Sequence, residues 1–132
     1  MRAVRIVFMW LARAFLLGLV LQLLFIGFGV FPRHGDPSPF ALHRNWGFIL
    51  GDIAVVLFLI ALAARPGWRT VLLAFVVGVL TFLAQPLLVS ARHKAPFVAA
   101  LHPVNALLIF WLTLVLIRRT TALFSSTVPK EA

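Results

Sequence analysis

Four charge-poor stretches of similar length run through this chain of 132 residues. Nineteen residues separate Arg13 from Arg33, and 20 separate Arg44 from Arg65 with Asp52 as the one charge inside. A further 22 separate Arg69 from Arg92, and 23 separate Lys94 from Arg118. About 20 apolar residues make a helix that crosses about 30 Å of hydrocarbon. In lipid such a segment must satisfy its own backbone hydrogen bonds, and no strand alternation points to a barrel. The spacing therefore predicts an all-α fold, with spans at about 6–31, 40–64, 69–91 and 97–118 forming a single domain over residues 1–132. The links Pro32 to Pro39, Arg65–Pro66–Gly67–Trp68–Arg69 and Arg92 to Pro96 are short and turn-rich, with Trp68 placed for an interface. Short links make neighbours antiparallel, so the expected architecture is an integral membrane up-down four-helix bundle.

Composition narrows the chemistry. Charged residues make up 11% and hydrophobic residues 63%, more apolar surface than a soluble domain of this size can hide. The absence of cysteine removes disulfides, thiolate metal sites, cysteine nucleophiles and covalent haem attachment. The acids are Asp36, Asp52 and Glu131, which leaves paired-carboxylate catalysis little to work with; no independent catalytic constellation is evident. The N-terminal apolar run, Ala14 to Phe31, is too long for an ordinary signal peptide and lacks a small-x-small cleavage site, so it reads as a retained span.

The net charge is +9. One side of the predicted bundle carries Arg2, Arg5, Arg13, Arg65, Arg69, Arg118, Arg119 and Lys130; the other carries Arg33, Arg44, Arg92 and Lys94. By the positive-inside rule both termini face the cytoplasm, and the location is the inner (plasma) membrane, multi-pass. Anchoring and contact with the lipid bilayer explain this charge more cheaply than nucleic acid, which is not an expected partner.

In that topology all four histidines gather at the outer end. The strings RHGDPSPFALHR and RHKAPFVAALHP place His34 and His43, then His93 and His102, at matching positions 59 residues apart. They read as a weak internal duplication of one helical hairpin or as chance. His43 and His102 each fall about one turn inside an even-numbered span. Those two spans run parallel and face each other across the bundle diagonal, so two inward imidazoles could bracket one iron, as in bis-histidine b-type haem. Gly47 and Gly51 continue the His43 face and would let a flat macrocycle approach the backbone; Ala106 is the matching position in the fourth span. Gly18, Gln22, Phe25 and Gly29 form a stripe in the first span, and Gly78, Thr81 and Gln85 one in the third. Arg44 and Arg92, with Arg33 and Lys94, lie at the same end and could pair with haem propionates. Each feature also has an ordinary reading: interfacial histidines, glycines for tight packing, arginines as solvated anchors. His34 and His93 read as solvated loop residues, a four-histidine metal site requiring both loops to fold inward.

Asp52 lies nine residues beyond His43, about 180° around the helix, so it points away from the centre if His43 points in. A pair with Arg13 is the expected arrangement, with a protonated carboxyl or contact to another subunit as the alternatives. Pro86 predicts a kink that frees a carbonyl near Thr81 and Phe82, and Pro103 belongs to a first turn or a kink beside His102.

The segment Ala100-Leu101-His102-Pro103-Val104-Asn105-Ala106-Leu107, with Leu42-His43-Arg44, resembles an uncharacterised family of small bacterial four-helix membrane proteins across essentially the whole chain. More distantly, the layout resembles one four-helix half of haem A synthase. In that family histidines near the outer ends of the second and fourth helices ligate haem, the former followed by arginine. The resemblance implies haem ligation by His43 and His102. Phe40 stands where that family carries its catalytic glutamate, so haem A synthesis is not implied.

These readings converge on a membrane protein with haem b held by His43 and His102 near the outer leaflet, with Arg44, Arg92, Gly47 and Gly51 around it, in electron transfer or haem handling. A membrane redox partner, a larger complex and a homo-oligomer are all compatible with it. The alternative is a haem-free accessory subunit docked through Asp52 and Arg13. A transporter is disfavoured by the scarcity of residues that could line a polar path.

Overall fold

The computed structural model describes residues 2–32 and 34–125. Among them there are helices, turns and no strands. Four helices are long and apolar enough to cross a membrane: α1 (Arg2–Val30), α2 (Ala41–Ala64), α3 (Trp68–His93) and α4, whose regular part is Leu101–Ser125 and which the single turn Pro96–Ala99 precedes. The charge spacing located all four, within a few residues at most boundaries. The clearest exceptions are the start of α1 at Arg2 and the end of α4 beyond Arg118 and Arg119. A basic side chain at a helix end can extend away from the axis, so the charge does not end the helix.

α1 packs along α2 and α4, and α3 along the same two, so the helices close a ring in chain order with α2 and α4 on opposite corners. The core is Phe8, Ala12 and Phe15 of α1, Leu50, Ala54, Leu57, Ala61 and Ala64 of α2, Ala74 and Val77 of α3, and Ile109 and Leu116 of α4. Alanine at so many of these positions lets the axes approach closely. The stripe on α1 packs onto α2 as its spacing suggests. Gly18 faces Leu50 and Trp46, the Trp46 indole donates to the Gly18 carbonyl at 2.9 Å, Phe25 meets Trp46 edge-on, and Gly29 meets Phe40. The outward surface is apolar, with Leu17, Leu23, Phe48, Leu59, Leu107 and Trp111 all exposed. That inversion is what a chain needs whose solvent is hydrocarbon.

The links end helices by recognisable means. Asp36 accepts from the Ser38 amide at 2.9 Å within the first link. The second turns through Arg65, which takes the left-handed conformation at the end of α2, and through Gly67, whose φ of 99° suits a residue without a Cβ.

α3 is not one regular helix. Leu80–Ala84 is π-helical between the α-helical segments Trp68–Val79 and Gln85–Ser90, and it ends in the three-residue 3₁₀ turn Ala91–His93. Pro86 lacks an N–H, and the wider turn just before it absorbs the mismatch: the Gln85 amide reaches back five residues to the Leu80 carbonyl. Pro103 falls in the first turn of α4, where a missing amide costs little.

Candidate functional site

Polar side chains inside the bundle include three threonines bonded within their own helices and a cluster at one end. Thr81, Thr113 and Thr120 are buried and donate to carbonyls of their own helices, those of Val77, Ile109 and Ile117, at 2.7, 2.7 and 2.9 Å. They carry no information between helices. At the end of the bundle where α2 and α4 begin, the pattern changes. There Gln22, His43, Gln85, His102 and Asn105, drawn from all four helices, form one interior polar cluster.

His43 sits in the first turn of α2 and is tied to α1. Its Nδ1 lies 3.3 Å from the Gln22 carbonyl, and the Gln22 side-chain amide donates to the His43 carbonyl at 3.0 Å. A carbonyl only accepts, so this contact puts the proton on Nδ1 and leaves the lone pair on Nε2. The Gln22 amide nitrogen is also 3.5 Å from that Nε2. His102 sits in the first turn of α4, beside the Gln85 backbone of α3. Its Nδ1 is buried and makes no hydrogen bond, and the same holds for Gln22 Oε1.

The two imidazoles meet across the diagonal. Their centroids are 6.3 Å apart and their planes are inclined at 75°. One turn further into α4, Asn105 is 9% exposed and donates to the Leu80 carbonyl at 3.2 Å and to Gln85 Oε1 at 3.1 Å. The π segment thus supplies an acceptor to α4, and Asn105 locks α3 to α4 beside His102.

The other candidates fall around this pair. A Cβ on Gly47 would come within 3.1 Å of the Gln22 amide nitrogen, and one on Gly51 within 3.3 Å of the Phe82 ring. One glycine therefore turns its flank to α1 and the other to α3, with side chains against both. Ala106 is half-buried on α4. Arg44 is exposed, as are Arg92 and Lys94, and Arg92 donates to its neighbour His93 at 3.0 Å. Arg33 lies outside the described residues. His34 and His93 are exposed, and among the described residues no group of three or more His, Cys, Asp or Glu is placed to hold a metal ion. The donor set here is two imidazoles.

Arg13 and Asp52 do not meet. Arg13 bonds to Thr121 Oγ1 of α4 at 3.1 Å and to the Met9 carbonyl at 3.3 Å, with its guanidinium 5.2 Å from the centre of the Trp10 ring. Asp52 is exposed on the outward face of α2, turned away from the interior as its offset from His43 requires. The expected pair fails because Arg13 leaves α1 on the flank that faces α4 rather than α2.

The partnering of each histidine with the preceding helix was missed by spacing arguments. A signal for it existed: Gln22 and Gln85 are the chain's two glutamines, and each lies on the small-residue stripe of its span. Comparison with protein-family models, curated proteins and solved structures found no match to this chain.

Proposed function

We propose that this chain is a multi-pass protein of the inner membrane that holds one b-type haem between His43 and His102 and serves electron transfer or haem handling near the outer leaflet. The observation that carries the reading is the pairing of the two rings at 6.3 Å across the bundle diagonal. With metal–imidazole bonds of about 2.0–2.1 Å on each side of an iron, two ligating rings have centroids roughly 6 Å apart. The ring environments agree. A ligating histidine commonly gives its second nitrogen to a carbonyl, which fixes its tautomer and orientation, and His43 has that arrangement with Gln22. His102 Nδ1 is an orphaned buried nitrogen in need of a partner. The distant resemblance to one half of haem A synthase points to the same two residues.

Bound here, haem supplies reversible one-electron exchange. The chain's residues do the rest. His43 and His102 would hold the iron, while Gln22 and the Asn105–Gln85 bond hold the first turns of α2 and α4 in register. Gly47 and Gly51 carry no Cβ: Gly47 leaves the Gln22 amide its place beside His43, and Gly51 gives room against α2 once the exposed Phe82 ring moves aside. Arg44 and Arg92 are exposed at the same end of the bundle and would pair with haem propionates. The positive-inside charge pattern puts this rim outside and both termini in the cytoplasm.

Purification in mild detergent with haem supply assured tests the proposal. The expected result is a Soret band that sharpens on dithionite reduction and is lost in His43→Ala and in His102→Ala. Colourless folded protein would refute it.

The exposed Asp52 favours a second reading, a haem-free accessory subunit docked to a larger membrane complex, because a carboxylate on a lipid-facing surface is costly. Colourless protein that co-purifies with other membrane subunits would select this reading.

A further inference from the structure

At the opposite end of the bundle, the turn between α2 and α3 and the end of α4 enclose an open groove of about 370 Å³. Arg69 and Arg119 line it from two different helices, with Gly67, Trp68, Thr70 and Ala122. Both arginines are exposed, and the Arg69 guanidinium lies 5.4 Å from the centre of the Trp68 ring. Trp68 is itself 71% exposed, beside a positively charged surface at the end of an apolar span. Amphipathic rings in that position sit at the headgroup level of a bilayer. The start of α3 forms one wall, and no side chain caps it at Gly67. The Trp68 and Arg69 amides precede the first bonds to the Gly67 carbonyl and add a partial positive charge to that of the two arginines.

We propose that this groove binds the phosphate of an anionic phospholipid headgroup. Guanidinium groups from two helices can clamp a phosphate by paired hydrogen bonds, which a zwitterionic headgroup's own ammonium would oppose. Trp68 and Ala122 give the glycerol and upper acyl segments an apolar edge. Free phosphate shares the charge chemistry but not this edge. The site is separate from the histidine cluster, and it rests on the reading that the helices cross a bilayer.

Native mass spectrometry of the full chain released from nanodiscs of mixed phosphatidylglycerol and phosphatidylcholine tests it. Wild type is expected to retain one phosphatidylglycerol and no phosphatidylcholine. An Arg69→Gln/Arg119→Gln variant should retain at least fivefold less, while Arg2→Gln/Arg118→Gln, altered at the same end but off the groove, retains it like wild type. Equal retention by the groove variant and wild type would overturn the proposal. So would equal loss in the off-groove variant, or retention of phosphatidylcholine. Millimolar inorganic phosphate added as competitor should leave the lipid in place, and displacement would reassign the groove to free phosphate. Membrane fractionation of the same cells separates failure of this proposal from failure of the bilayer reading, since only the latter puts the chain in the soluble fraction.

Discussion

Gln22 meets His43 through both side chain and backbone: its side-chain amide donates to the His43 carbonyl and its backbone carbonyl faces Nδ1. Gln22→Leu removes the donor and leaves the carbonyl contact in place. The expected cost is about 1 kcal/mol of stability, read as a lower thermal midpoint in detergent. Haem affinity should fall with it, because the start of α2 loses a tether to α1. Asp52 predicts the opposite sign. Its carboxylate is exposed on an apolar face, where an acid at a span centre costs about 2.5–3.5 kcal/mol on insertion scales. Asp52→Leu should therefore raise the membrane-inserted yield and leave the thermal midpoint unchanged or higher, with the haem spectrum unaltered. A lower midpoint would mean that a partner holds the carboxylate.

Close approach between helices is selective. Gly18 of α1 faces the buried Leu50, and a Cβ there would come within 2.6 Å of that side chain; Gly27, also in α1, has nothing within 4 Å of the corresponding position. Gly18→Val is expected to lose about 1–3 kcal/mol through overpacking. Gly27→Ala should be neutral or gain up to about 1 kcal/mol from helix propensity, and parallel thermal unfolding of the two variants checks the contrast. At this scale the sequence was legible where a single physical constraint acts. Span number follows from charge spacing because lipid tolerates few charges, and the Gly18–Gly29 stripe follows from helical period. The π segment was half legible. Pro86 announces a disturbed turn before it, but that the Leu80 carbonyl accepts from both the Gln85 amide and Asn105 depends on how α3 and α4 meet. The partner of Arg13 was not legible, since the choice between Thr121 and Asp52 rests on the rotation of α1 about its axis, which core packing sets.

For the whole molecule, the closed ring of helices puts the histidine cluster at one end and most of the described basic residues at the other. The charge asymmetry predicts a single orientation. A chain without cysteine makes this simple to test with a membrane-impermeant maleimide on intact cells. Ser38→Cys, in the link before α2, should label from outside, and Trp68→Cys, before α3, only after permeabilisation. Reversed labelling would place the histidine end in the cytoplasm.

The diagonal pairing of the two imidazoles is tested most directly by electron paramagnetic resonance of the oxidised, detergent-purified protein reconstituted with haem. Two imidazoles on one iron predict a low-spin ferric signal in wild type. Removal of either ring, in His43→Ala or His102→Ala, should convert it to high spin or abolish binding. A wild-type signal that is high-spin, or one that stays low-spin in either variant, would contradict shared ligation by His43 and His102.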